Sequence, residues 1–167
     1  MIIGITGLIG SGKDTIADYL TTFHGFKRMS YAASLKDAVA AVFGWNREYL
    51  EGSTKTSRAW REQKDEWWSK RLGMDITPRW VLQYWGTEVC RNGFHSDIWV
   101  ASVENKLRQT DENIVITDCR FANEIQSIKN VTDEDIKYLY YYFEYVEVNC
   151  NDLNFYTRAL RDKLENG

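Results

Sequence analysis

The chain has 167 residues and a mass of 19.6 kDa, enough for one domain with a sizeable core and too little for two ordinary ones. It is 44% hydrophobic and 27% charged with a single proline, a globular composition that leaves no material for a disordered linker. The formal charge of −3, from 21 basic and 24 acidic residues, argues against nucleic-acid binding, and the absence of an apolar run of about 18 residues argues against a membrane span.

Ile2-Ile3-Gly4-Ile5 predicts a buried strand that runs into a glycine loop. This apolar start is short and lacks a basic flank, so it predicts no export leader and a cytoplasmic protein, in the host cytoplasm if a phage encodes it. Ile16, Ala17, Leu20 and Phe23 recur at helical spacing, with Gly25 as the stop. Leu35, Ala38, Val39, Val42 and Phe43 predict a second helix, capped by Ser34 and ended by Gly44. The stretch 54–71 then carries Lys55, Arg58, Arg61, Lys64, Lys70 and Arg71 with three tryptophans and few aliphatics. That is the composition of a segment that covers a site without building the core, and residues 45–76 are expected to be such a covering insertion; a solvated charged helix is the plain alternative.

Thr77 as N-cap and Pro78 at the first helical position open another helix, whose apolar stripe is Val81, Leu82, Trp85 and Val89. Trp99, Val100, Val103 and Leu107 continue as a helix, and Ile114 to Thr117 reads as a second buried strand ending at Asp118. Ala122, Ile125 and Ile128 follow at helical spacing. Tyr138 to Val148 looks extended, and Leu153, Tyr156, Leu160 and Leu164 mark a closing helix. Cys90, Cys119 and Cys150, with only His24 and His95 besides, form no metal-ligand spacing and read as reduced thiols. Alternating strands and helices predict an α/β fold, one domain over 1–167, with a parallel sheet covered on both faces as a three-layer sandwich.

The loop after the first strand, Gly7-Leu8-Ile9-Gly10-Ser11-Gly12-Lys13, fits GxxxxGK. Its glycines let backbone N–H groups turn toward an anion, the following helix offers its positive end, and Lys13 reaches the outer phosphates. The competing dinucleotide fingerprint fails, because its third glycine position holds Thr15. A hydroxyl residue usually follows the lysine to meet Mg²⁺; here Asp14 stands there with Thr15 next, so both are candidate magnesium ligands. Asp118, at the end of the second strand, is the third. Arg79 and Gln83 share a helix face suited to a phosphate and a base edge, and Gly86 and Cys90 continue it as small residues that would let a ligand approach.

Several separated blocks, Gly12 to Thr15, Leu35 to Trp45, Thr77 to Glu88 with Arg91, Asp97 to Trp99, and Asp118 to Glu124, resemble the phage deoxynucleoside monophosphate kinases over about residues 1–128. The resemblance implies a nucleoside-monophosphate-kinase P-loop fold that moves the γ-phosphoryl of ATP to a dNMP, giving dNDP, with Mg²⁺. It implies that Gly7, Gly10, Ser11, Gly12, Lys13, Asp14 and Thr15 bind ATP, and that Lys36, Arg79, Gln83, Glu88, Arg91, Asn123 and Glu124 bind the acceptor. Lys13, Arg79, Arg120 and Asp118 are then the catalytic set. The match weakens beyond about residue 129, and no arginine stands between Arg120 and Arg158. Cations closing over the phosphates are therefore expected from the basic 54–71 stretch, or otherwise from Arg120 or from a neighbouring copy if the protein is a homodimer.

The absence of a convincing histidine or paired-carboxylate base fits a monophosphate acceptor, whose second pKa near about 6 leaves it ready to attack at neutral pH. Two alternatives stay open: a P-loop kinase for another small molecule, and a nucleotide-binding switch with little turnover. A switch retains nucleotide through purification and ignores dNMPs, whereas a kinase releases ADP only when its acceptor is added.

Overall fold

In a computed structural model, residues 1–7, 11–130 and 141–143 are described. The chain opens with β1 (Ile2–Gly7), α1 (Lys13–Phe23) and β2 (Lys27–Met29). It continues through α2 (Ala33–Phe43), α3 (Arg47–Glu51), α4 (Lys55–Glu62), α5 (Glu66–Leu72) and α6 (Pro78–Tyr84), which runs into a π-helical stretch, Trp85–Asn92, and then α7 (Ile98–Leu107). It closes with β3 (Ile114–Ile116), α8 (Ala122–Asn130) and β4 (Tyr141–Phe143). Two compact units result, one of residues 1–30 with 110–167 and one of residues 31–109.

The first unit is a four-stranded parallel sheet in the order β2-β3-β1-β4, with Ile3 opposite Val115 and Ile5 opposite Tyr141. Side chains alternate along β1, and that alternation builds the layers. Ile3 and Ile5 join Ile16, Ala17 and Leu20 of α1 in one core cluster, while Gly4, pointing the other way, lies against Ile128 of α8. Helices thus cover both faces, as the sequence predicts. Gly25, in the left-handed region at φ +67, turns the chain from α1 into β2. The short charged strand β2 is not visible in the hydrophobic pattern, because two of its three residues, Lys27 and Arg28, are exposed at the sheet edge. Of the extended reading over 138–148, the structure describes β4 alone; the expected closing helix lies outside the described residues.

The second unit is helical around an aromatic core. All seven tryptophans of the chain fall within residues 31–109. Phe43 stacks on Trp45 with ring centroids 4.4 Å apart and meets Trp68 at 4.8 Å, and Trp60 stands edge-on to Trp45. The Trp45 indole donates to Asp65 Oδ2 at 2.8 Å and the Trp68 indole to the Phe43 carbonyl at 3.0 Å, so the rings are fixed by polar as well as apolar contacts. This corrects the expectation that 54–71 builds no core: Trp60 and Trp68 pack into it, and Ser57 and Ser69 are buried. Ser34 is likewise not the cap of α2. It sits inside the first turn and meets Ser102 Oγ at 2.8 Å, whereas Gly44, left-handed at φ +68, ends the helix as expected. Thr77 caps α6 by accepting from the Trp80 N–H at 3.1 Å, with Pro78 following. No helix among the described residues is long and apolar enough to cross a membrane.

Candidate active site

In the first unit the phosphate loop leaves the carboxyl end of β1, an interior strand paired with β3 and β4. Gly12 adopts a left-handed conformation, φ 82, immediately before α1, a geometry that a side chain would strain. No side chain caps the helix there, so the first-turn amides of α1 keep their capacity to hold an anion. Lys13 reaches back to the end of β1, its Nζ donating to the Gly7 carbonyl at 2.8 Å and to Ser11 Oγ at 3.3 Å. Burial lowers the Lys13 pKa; Asp14 opposes that shift and the Arg120 charge adds to it. That electrostatic coupling brings Arg120, from the segment after β3, into the neighbourhood of Lys13. Gly10 lies outside the described residues.

Asp14 and Thr15 are both exposed. Asp14 Oδ1 accepts from Arg28 Nη2 at 3.0 Å, and the same nitrogen donates to the Asp14 carbonyl at 3.1 Å, so β2 ties down the first turn of α1. Asp118, just past β3, accepts from Ser30 Oγ at 2.7 Å. Next to it, Cys119 is buried, and burial, with the Asp118 and Glu124 charges adding, pushes its thiol up to about 12. Glu124 is 2% exposed, and its Oε2 accepts from the Arg120 N–H at 2.7 Å and the Phe121 N–H at 3.1 Å. Those two amides precede α8, so this carboxylate does the work of the reaching-back glutamate of a capping box. Asn123 Oδ1 accepts from the Glu124 N–H at 3.0 Å.

In the second unit, Lys36 of α2 pairs with Glu51 at 2.6 Å, and Arg47 binds the other oxygen of the same carboxylate at 2.6 Å. Burial pushes the Glu51 carboxyl up, but the hydrogen bonds from Arg47 and Lys36 together hold it below the usual range. Arg79 is half-exposed on α6, 4.0 Å from Glu62, and Gln83 is exposed one turn further on. Glu88 accepts from Asn92 Nδ2 at 3.0 Å, and Arg91 Nη1 donates to the Ser96 carbonyl at 3.4 Å.

The expectation that Gly86 and Cys90 extend the Arg79 face is corrected. The helix widens into a π-helical stretch at Trp85, which changes the phase of everything after it. Gly86 becomes buried, against Leu35 of α2, and its carbonyl accepts from the buried Trp99 indole at 3.0 Å. Cys90 packs on the aromatic core. These small residues admit neighbouring helices, not a ligand. The same change of phase leaves Val89, expected in the apolar stripe, 44% exposed.

No family model matches the chain. Among curated proteins, a putative deoxynucleotide monophosphate kinase of Acanthamoeba polyphaga mimivirus is 32% identical over 143 residues, spanning 78% of this chain and 69% of the relative. The chain belongs to the deoxynucleoside monophosphate kinase family. A deoxynucleoside-5'-monophosphate kinase of Escherichia phage T5 is 24% identical across 81% of this chain and 74% of its own length. For a member of the deoxynucleoside monophosphate kinase family, Arg28 and Ser30 are the residues that sequence reasoning missed: one braces Asp14, the other Asp118. The available signal was topological. A strand after α1 has to place its own carboxyl end beside those of β1 and β3, so the residues that close it stand at the loop end of the sheet.

Proposed function

We propose that the protein transfers the γ-phosphoryl group of ATP to a deoxynucleoside monophosphate, releasing ADP and a deoxynucleoside diphosphate. The observation that carries this reading is the strand end itself, where left-handed Gly12, the uncapped start of α1 and the Lys13 ammonium held at the Gly7 carbonyl and Ser11 Oγ stand together as donors suited to phosphates. In this reading Lys13 neutralises the outer phosphates of ATP, and Arg120 adds a second positive charge nearby. Lys36, Arg79, Gln83, Glu88 and Arg91 of the second unit serve the acceptor, and Asn123, in the first turn of α8 in the first unit, is assigned to it as well.

Among the described residues no group of three or more His, Cys, Asp or Glu side chains converges as a cage for a metal. Magnesium does not require one, since it binds through one or two carboxylates, waters and the phosphates of its nucleotide. Asp118 fits that role, a hard oxygen donor oriented by Ser30 at the loop end of the sheet, while Asp14 shares its carboxylate with Arg28. When bound, Mg²⁺ supplies charge neutralisation on the β- and γ-phosphates. The acceptor phosphate is dianionic and needs no base, so the chain's own residues have only to position it and shed water. The same reading favours a cytoplasmic enzyme, since ATP and nucleoside monophosphates are cytoplasmic metabolites.

The test is ADP release from ATP with each deoxynucleoside and ribonucleoside monophosphate in turn. Turnover is expected with at least one dNMP and none with ATP alone. Lys13→Ala is expected to abolish it while leaving the circular dichroism spectrum unchanged. A variant as active as the parent would overturn the phosphate-loop assignment.

A further inference from the structure

We propose that Arg61 of α4 and Arg79 of α6 form a two-guanidinium clamp for a single phosphate group. Naming that group as the acceptor's phosphate rests on the function proposed above; the anion site itself does not.

Arg61 is half-buried where α4 packs against α3 and α6. Its guanidinium lies directly over Gly52, in space that any Cβ at position 52 would fill. Its Nε is buried and makes no hydrogen bond, and its one backbone contact, Nη1 to the Leu50 carbonyl, is long at 3.4 Å. No carboxylate among the described residues forms an ion pair with it. Glu51, the nearby acid on α3, is already held by Lys36 and Arg47.

A purely structural role does not account for this. Arg58 already serves the turn after α3, donating to the Gly52 carbonyl at 3.0 Å and the Ser53 carbonyl at 3.1 Å. Arg61 adds little to that turn and retains donors to spare. α4 packs on α6, and Arg79 reaches toward Glu62, the residue after Arg61; burial lowers the Arg61 pKa and the Arg79 charge adds to that, while Glu62 and Glu51 oppose it. Arg79 is itself only loosely paired, 4.0 Å from Glu62. Two guanidinium groups on packed helices, one of them half out of water and without an ion pair among the described residues, are only partly offset by the Glu62 and Glu51 charges and favour an anion between them. A phosphate oxyanion suits them, because planar guanidinium groups bind its oxygens through paired N–H donors.

The experiment uses the full chain and reads tryptophan fluorescence, which reports only on residues 31–109 because every tryptophan lies there. The wild type, Arg61→Gln and Arg61→Lys are titrated with a dNMP, with the matching deoxynucleoside and with inorganic phosphate, and calorimetry checks each affinity. Arg61→Gln is expected to weaken the dNMP by about tenfold or more and to leave the deoxynucleoside and the KM for ATP within about twofold, with Arg61→Lys between the two. Unchanged dNMP affinity, or an equal loss for dNMP and deoxynucleoside, would overturn the clamp. If Arg61→Gln does not fold, Arg61→Lys decides by the same comparison. Should the wild type neither bind nor phosphorylate any dNMP, the acceptor reading fails, and inorganic phosphate then decides the clamp: Arg61-dependent binding upholds it and no binding overturns it.

Discussion

At the scale of single residues, the chemistry of the phosphate loop is written in the ionisation of Lys13. Burial lowers its pKa below the 10.5 of a free lysine, and Arg120 pushes in the same direction. In the window between that depressed value and 10.5, the unfolded chain keeps a proton that the folded chain has released, so Lys13 makes stability rise with pH across the window. Nucleotide phosphates favour the charged form and reverse the shift. ATP binding at alkaline pH is therefore expected to take up a fraction of a proton, and less of one as the pH falls below the depressed Lys13 pKa. Calorimetry in two buffers of different ionisation enthalpy at one pH measures this directly. Binding without uptake throughout the alkaline range would mean that Lys13 does not meet the phosphates. The motif that led to Lys13 was legible because it is local, seven residues from the last of a strand to the first of a helix. The duties of Glu124 and Gly86 were not, since each depends on which backbone amides or helices the fold brings against it.

At the scale of elements, hydrophobic spacing was a reliable guide wherever the backbone stayed regular. All four apolar residues expected on one face of α7 are buried, and Thr77 with Pro78 starts α6 where the capping chemistry says it should. The reading broke where the periodicity itself changed. The π-helical stretch after Tyr84 rotates Gly86 inward and leaves Val89 outward, and no composition signal announces it. The sheet offers a sharper test of element packing. An alanine at Gly4 of β1 would drive its methyl into Ile128 Cδ1 of α8 and within 3.3 Å of Cys119 Sγ, and all three positions are buried. Gly4→Ala is expected to cost about 1–3 kcal/mol, seen as a lower denaturant midpoint with unchanged slope. Ile128→Val removes the very atom that collides. On its own it should cost about 0.5–1.5 kcal/mol, but combined with Gly4→Ala it should leave the double variant more stable than the two losses added together. Simple additivity would show that α8 does not press on β1 at this point.

At the scale of the whole molecule, one hydrophobic core among the described residues gathers around Ile3, Ile5 and Leu20 and another around Trp45, Val81 and Trp99. Each lies within one compact unit, so each unit is expected to respond separately to the ligand it binds. The phosphate loop belongs to the first unit, and Arg61, Arg79, Gln83 and Arg91 belong to the second. Amide hydrogen exchange can therefore assign the two substrates independently. ATP alone is expected to slow exchange over the first turns of α1, whose amides face the phosphates, and to leave α4, α6 and the π-helical stretch as they are in the free protein. A dNMP alone is expected to do the reverse, protecting α4 and α6 where the two arginines stand. The basic stretch from α4 into α5 adds a further criterion: as a cover over the reacting phosphates, it should be protected more by both ligands together than by the dNMP alone. Equal protection in those two conditions would make α5 a helix that serves the aromatic core through Trp68 and closes over nothing. Protection of α4 and α6 by ATP alone would remove the acceptor from the second unit altogether.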